Sequence, residues 1–121
     1  MQKISTPKEL MISRYNAFVN EDWEYIAKTS ISQTLEELQN SPAISWLKLE
    51  IIHAYDNIVE FKAYYKLNNT IELLHEKSTF VLIDNEWKYQ DGILYDTQIT
   101  KNGLCFCGSN KKYKRCCYIP S

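Results

Sequence analysis

The stretch from Leu47 to Leu67, LKLEIIHAYDNIVEFKAYYKL, decides the fold. In both of its halves, side chains suited to one face of a sheet recur at every second position, which is the period of a β-strand. Asp56-Asn57 between the halves is a turn signal. The predicted faces are Leu47, Leu49, Ile51, His53 and Tyr55 in the first strand and Val59, Phe61, Ala63, Tyr65 and Leu67 in the second.

The same pattern continues towards the C-terminus. Asn68-Asn69 predicts another turn, followed by a third long strand over about Thr70 to Ile83. Asp84-Asn85 then leads into a short fourth strand containing Trp87 to Gln90, which Asp91-Gly92 is expected to close. These segments predict a meander of four antiparallel strands.

Helical signals precede the strands. Thr6-Pro7-Lys8-Glu9 combines a capping threonine, a proline at the first helical position and a glutamate three residues after the cap. A shorter helix is predicted to restart at Asn20 to Asp22, and a third to run from about Ser32 to Gln39 and end at Ser41-Pro42. Helices followed by an antiparallel meander indicate an α+β fold, with the helices packed on a curved sheet.

Lys101-Asn102-Gly103 is the one obvious hinge, and it predicts an α+β domain over residues 1–100 and a small C-terminal segment over 101–121. The sign of the net charge also changes at this position. Residues 1–101 hold all fifteen Asp and Glu with ten Lys and Arg, a net charge of −5, whereas the remaining residues hold four Lys and Arg and no acid. The segment is therefore a small basic knob on an acidic body, which favours local contact with acidic protein surfaces or RNA phosphates.

The chain has no run of about 18 apolar residues and, near its N-terminus, no apolar segment of the kind found in secretory signals. These features predict a cytoplasmic protein with no membrane span. In such a reducing compartment, clustered thiols are expected to be metal ligands more often than disulfides.

All four cysteines lie in the last seventeen residues, as C-x-C, an eight-residue gap and C-C. Closely spaced sulfurs beside a glycine turn suit one tetrahedral soft-metal site, with Zn²⁺ as the expected ion. Disulfides or free thiols are the alternative. The basic residues nearby would also lower the cost of gathering thiolates.

This segment resembles the SEC-C motif, a zinc-binding element best known at the C-terminus of the SecA translocase motor. The motif usually reads C-P-C-G-S-G-x-x-Y-x-x-C-C, or ends in C-H; Phe106 here replaces its proline and Asn110 a glycine. The resemblance implies that Cys117 completes the ligand set, which is then Cys105, Cys107, Cys116 and Cys117. Four protein ligands leave no open position, which describes a structural and not a catalytic site.

The body is similar to the NTF2-like domain of the YchJ (UPF0225) family. Four segments agree in order, at residues 10–19 (LMISRYNAFV), 59–63 (VEFKA), 75–80 (HEKSTF) and 87–92 (WKYQDG). The resemblance implies an NTF2-like (cystatin-like) cone whose sheet encloses a pocket, with the candidate pocket residues Tyr15, Trp46, His53, His75 and Asp91. Aromatic stripes of this kind are more often core, and the two histidines are more often hydrogen-bonded sheet residues than general bases.

Arg14, Glu76 and Asp91 are charged residues inside the family-like segments. One interpretation is a partly buried ion pair that ties the first helix to the sheet. The other is an acid/base set, such as Asp91 or His75, acting on a small molecule in the cone. No nucleophile–base set, phosphate-binding glycine loop or open metal position is evident, so whether the chain is an enzyme is left open, with the negative favoured.

The resemblance to SEC-C also implies a protein-interaction role, with the knob as an adaptor towards the secretion or translation machinery. The candidate contacts for an acidic partner, or for the ribosome and its RNA, are Lys111, Lys112, Tyr113, Lys114 and Arg115. The competing interpretation is that these residues only solvate the metal module. The alternative function is that of an NTF2-like small-molecule binder or enzyme using the cone pocket, and either a monomer or a homodimer is compatible with the sequence.

Overall fold

The computed structural model describes residues 4–40 and 42–118. Three helices come first: α1 at Pro7–Val19, α2 at Trp23–Lys28 and α3 at Leu35–Gln39. Each follows a capping side chain (Thr6, Asp22 or Thr34) that accepts a hydrogen bond from a backbone N–H of the first turn. Ser41, part of the predicted stop signal, and residues 1–3 and 119–121 of the predicted domains lie outside the described residues. Within those residues, no helix has both the length and the apolar character needed to cross a membrane.

Four strands follow and form one antiparallel sheet in the order β1-β2-β3-β4. Two-residue Asp/Asn turns join them, and Asp56, Asn68, Asn69, Asp84 and Asn85 in these turns adopt positive φ angles. Asp and Asn tolerate this backbone better than other residues with a side chain, so each long strand folds directly back on the previous one. The strand bounds are Ser45–Tyr55, Ile58–Leu67, Thr70–Ile83 and Glu86–Tyr95. The predicted α+β layout with a four-stranded meander is confirmed.

The helices cover one face of the sheet, called here the inner face; the opposite face is the outer face. The main core lies between α1 and the inner face, where Phe80 and Val59 are fully buried. A second cluster of Ala17, Ile26 and Leu38 holds the three helices together. Truncating a buried phenylalanine to alanine typically costs about 3–5 kcal/mol, so the packing of α1 around Phe80 makes a large contribution to the stability of the body.

Irregularities in β1 correct the face predicted for it. Its pairing with β2 shifts register between Trp46 and Lys48 and again between Ile51 and His53. Leu49 and Ile51 still pack against the core, but Leu47, His53 and Tyr55 are exposed. Each bulge inserts an unpaired residue and resets the alternation of side chains. The strict period of two predicted over the whole strand is therefore wrong at both of its ends.

The fourth strand is longer than predicted. It continues through Asp91-Gly92 to Tyr95, because Gln90 is absorbed as a bulge between the Thr79–Asp91 and Phe80–Tyr89 pairs. Gly92 is needed here for space: a Cβ at this position would overlap the carboxylate of Glu76. Asp91-Gly92 thus marks a bulge and a close approach inside the strand, and the prediction that it closes the strand is wrong.

Candidate metal centre and cone cavity

The C-terminal knob (residues 101–118) is a compact reversal of the chain. Leu104 pairs with Lys112 in a backbone bridge, and the N–H of Cys105 donates to the carbonyl of Lys111 at 2.8 Å. Between them, Gly108 and Asn110 have φ angles of 82° and 65°. Both lie in the left-handed region, so Asn110 makes the turn that the motif usually assigns to glycine. A short 3₁₀ helix at Tyr113–Arg115 then returns the chain to Cys116.

This reversal brings the four cysteine sulfurs within 4.8 Å of one another. The Sγ atoms of Cys107 and Cys116 are 3.4 Å apart, and those of Cys116 and Cys117 are 3.9 Å apart. Four sulfurs bound to one ion at about 2.3 Å would be about 3.8 Å from each other in a regular tetrahedron. The observed separations lie around this value, so the four side chains could hold one metal ion with only small adjustments.

The thiols differ in their environments. Cys105 is buried and Cys107 is exposed. Hydrogen bonds from the Ser109 hydroxyl, the Cys116 thiol and the Ser109 backbone N–H lower the pKa of Cys107 to about 6. Burial, reinforced by the neighbouring thiols, raises the pKa of Cys117 to about 12. A bound divalent cation would stabilise the thiolate at all four positions, so metal binding here is coupled to proton release.

The structure corrects one of the predicted partner contacts. Lys111, Lys112, Lys114 and Arg115 are exposed, but Tyr113 is buried, with 4% of its surface accessible. Its ring packs beside Phe106 and Tyr118, and its N–H donates to the carbonyl of Gly103 at 2.8 Å. Tyr113 is therefore the small core of the knob and is not available to a partner.

Phe106 joins the knob to the body, a role that the sequence interpretation missed. Its ring stacks on Tyr64 of the outer face, with centroids 4.2 Å apart and planes at 8°. The Nζ of Lys48 donates to the carbonyl of Phe106 at 2.6 Å. The only sequence signal was the exchange of the usual proline for an aromatic residue, and its partner on a distant strand could not be identified from spacing.

A cavity of about 260 Å³ lies between the helices and the inner face. Of the five predicted pocket residues, Tyr15 and Trp46 line it, and His53, His75 and Asp91 do not. The three belong to the outer face: His53 pairs with Glu60 after the second bulge of β1, and Asp91 pairs with Thr79. Their placement in the pocket is wrong, because neighbouring residues of a strand point to opposite faces and the bulges change which residue faces inward. The complete lining is Met11, Arg14, Tyr15, Phe18, Gln33, Trp46, Phe61, Ala63, Leu74, Glu76, Ser78 and Tyr89.

His75 is held by hydrogen bonds on the outer face. Its Nε2 lies 2.8 Å from a carboxylate oxygen of Glu60, and its Nδ1 lies 2.7 Å from the hydroxyl of Thr97. The ring of Tyr95 packs against it. His75 thus ties the segment that leads to the knob onto the sheet, and it does not reach the cavity as an acid or base.

Arg14 does not form the predicted ion pair with the sheet. Its guanidinium donates to the Ile26 carbonyl, the Thr29 hydroxyl and the Gln33 amide oxygen, and it lies over the ring of Tyr89 at 4.9 Å. Burial lowers its pKa to about 10. Arg14 therefore links α1 to α2 and the following loop through neutral acceptors, and it contacts the sheet through an aromatic face.

The helices on a curved sheet and the cysteine cluster that follows define an NTF2-like domain with a C-terminal SEC-C motif. The family model for the middle NTF2-like domain of YchJ matches residues 6–92, and the SEC-C model matches residues 102–119. The chain belongs to the YchJ (UPF0225) family.

Two relatives illustrate the membership. A UPF0225 protein of Shewanella sp. (strain MR-4) is 37% identical over 131 aligned residues, which cover 96% of this chain and 80% of that protein. A UPF0225 protein of Serratia proteamaculans (strain 568) is 36% identical over 130, covering 96% and 83%. Among solved structures, a SEC-C motif-containing protein from Rhodopseudomonas palustris superposes with a TM-score of 0.70 at 23% identity, over 78% of this chain and 83% of that one. This last likeness concerns the fold alone.

Proposed function

We propose that the chain binds one Zn²⁺ ion through Cys105, Cys107, Cys116 and Cys117, and that the closed site stabilises a basic docking module for an acidic protein surface. The donor set supports zinc, because four thiolates in a tetrahedron are a soft-ligand site with no open position. Its role is then to fix the shape of a knob whose own core is little more than Tyr113.

The observation that supports the docking role is the unbalanced charge of the knob. Lys111, Lys112, Lys114 and Arg115 are all exposed, and none forms an ion pair with a described acidic side chain. The knob itself contains no Asp or Glu. Cations that only offset the thiolates would be expected to point towards the sulfurs, whereas exposed and unpaired cations on a rigid turn present a positive surface to a partner.

The test removes this charge without touching the metal site. A variant with all four basic residues changed to Gln is compared with the intact chain for zinc content, by elemental mass spectrometry, and for partner capture at low and physiological salt. The control changes four lysines of the body, Lys8, Lys28, Lys62 and Lys66, to Gln.

We expect one zinc per chain in the intact protein, the knob variant and the body control. Capture of the partner should be lost only in the knob variant, and in the other two proteins it should be weakened by salt. Capture that survives the loss of the four charges would refute the docking role. Absence of bound zinc from protein purified under reducing conditions would refute the metal assignment. Co-sedimentation with ribosomes provides a separate arm, because binding there that is abolished by ribonuclease would identify RNA and not an acidic protein as the partner.

A further inference from the structure

The cone cavity contains two opposite charges that are not paired with each other. Arg14 is 3% exposed, and its three hydrogen bonds go to neutral acceptors at 2.7 to 2.9 Å. No described carboxylate forms an ion pair with it. The nearest opposite charge, Glu76, acts on Arg14 only weakly and without a direct ion pair, so an anion that entered the cavity beside Arg14 would be stabilised.

Glu76 supplies the opposite charge on the inner face. One of its oxygens, Oε2, accepts hydrogen bonds from the Ser78 hydroxyl at 2.5 Å and the Tyr89 hydroxyl at 3.1 Å. The other, Oε1, has no described partner. Every fully buried side-chain oxygen or nitrogen of the described residues has a hydrogen-bond partner, so Oε1 is not fully buried. Oε1 is therefore an accessible acceptor on a residue that lines the cavity.

The position of this carboxylate is fixed. The side chain of Glu76 lies over Gly92 of the neighbouring strand, where any Cβ would overlap it. Together with the two hydroxyl donors, this contact orients the carboxylate and leaves Oε1 free. A carboxylate held in this way is preorganised to accept a hydrogen bond from a ligand.

The remaining walls are apolar. Met11, Phe18, Trp46, Phe61 and Leu74 line the cavity, and Trp46 packs at an angle against Phe18 with centroids 5.9 Å apart. Small-molecule sites are typically concave and mostly apolar, with a few fixed polar groups that orient the ligand. The volume of about 260 Å³ limits the ligand to a small molecule.

We propose that this cavity binds a small zwitterion with an apolar side chain, which is the chemistry of a free apolar amino acid. The carboxylate lies towards Arg14, the ammonium donates to Oε1 of Glu76, and the side chain packs on the apolar walls. A ligand with a single charge would be attracted by one of the two groups and repelled by the other. In a cavity of low polarity both effects are large, so a ligand carrying both charges is selected.

The proposal is tested by nuclear magnetic resonance titration of the full, metal-loaded chain with L-phenylalanine and L-leucine. Phenethylamine and phenylpropionate are the matched probes, since each lacks one of the two charges of phenylalanine. We expect shifts at the cavity residues with the amino acids, and at least about tenfold weaker binding of both single-charge analogues. No shift with either amino acid up to about 10 mM, or an analogue that binds as tightly as phenylalanine, would overturn the proposal.

Two substitutions on β3 complete the test. Glu76→Gln removes the charge at the accessible acceptor and should weaken phenylalanine binding by about tenfold or more. Glu72→Gln makes the same change at an exposed position of the same strand that does not line the cavity, and it should leave binding unchanged. Because Glu76→Gln could disturb its neighbours, Leu74→Trp serves as a second variant that fills the cavity and should abolish binding while circular dichroism shows a folded sheet. Equal affinity in all three variants would refute the site.

Discussion

Replacing Phe106 by alanine should release the knob from the sheet without emptying the metal site. The stacked pair with Tyr64 has centroids 4.2 Å apart, and such a pair contributes about 0.5–1.5 kcal/mol beyond the area it buries. Re-exposure of half-buried ring surface adds about 1 kcal/mol. The docking free energy should therefore fall by about 1.5–2.5 kcal/mol, which raises the undocked population roughly tenfold to sixtyfold.

The assay is backbone amide relaxation by nuclear magnetic resonance, with zinc content measured on the same samples. In the intact chain the amides of the knob should tumble with those of the sheet; in Phe106→Ala they should gain independent motion while zinc stays bound. Leu104→Ala is the control, because Leu104 is a neighbouring knob residue that is 70% exposed. The reasoning is refuted if the knob amides of Phe106→Ala still tumble with the sheet, or if the control loosens the knob equally.

Two further predictions concern the thiols and the sheet. In metal-free reduced protein at neutral pH, iodoacetamide should modify Cys107 first and much faster than Cys117, because a pKa of about 6 leaves Cys107 mostly ionised and a pKa of about 12 keeps Cys117 protonated. The rate at Cys107 should fall as the pH drops through 6, and peptide mass spectrometry showing equal rates would contradict this order. Gly92→Ala should lower the free energy of unfolding in urea by about 1–3 kcal/mol, since its Cβ overlaps Glu76. Gly103→Ala, whose Cβ would meet nothing closer than 3.4 Å, should change it much less, and similar losses would count against the overlap.

The features predicted correctly from the sequence are those that depend on neighbouring residues. A helix cap such as Thr6 and a turn such as Asn68-Asn69 are determined by local hydrogen bonds and backbone preferences, and both are present in the structure. The cysteine cluster is local too, since a short reversal suffices to gather the four sulfurs.

The errors arose where pairing between strands decides the outcome. The bulge before His53 and the bulge at Gln90 depend on the partner strand, and no local pattern in β1 or β4 marks them. Once they are missed, His53 and Asp91 are assigned to the wrong face. The contact between Phe106 and Tyr64 was missed for the same reason, because it joins residues that are far apart in sequence.

The two proposed binding functions use opposite faces of the same strand. On β2, Ala63 lines the cone cavity, and the next residue, Tyr64, contacts the knob by stacking on the ring of Phe106. Successive strand residues point to opposite faces, so a substitution at Glu76 should affect ligand binding alone, and one at Phe106 should affect docking of the knob alone. Loss of both after either change would indicate that the sheet itself has been disturbed. Because the sheet separates the two sites, the failure of one proposal leaves the other to be judged on its own contacts.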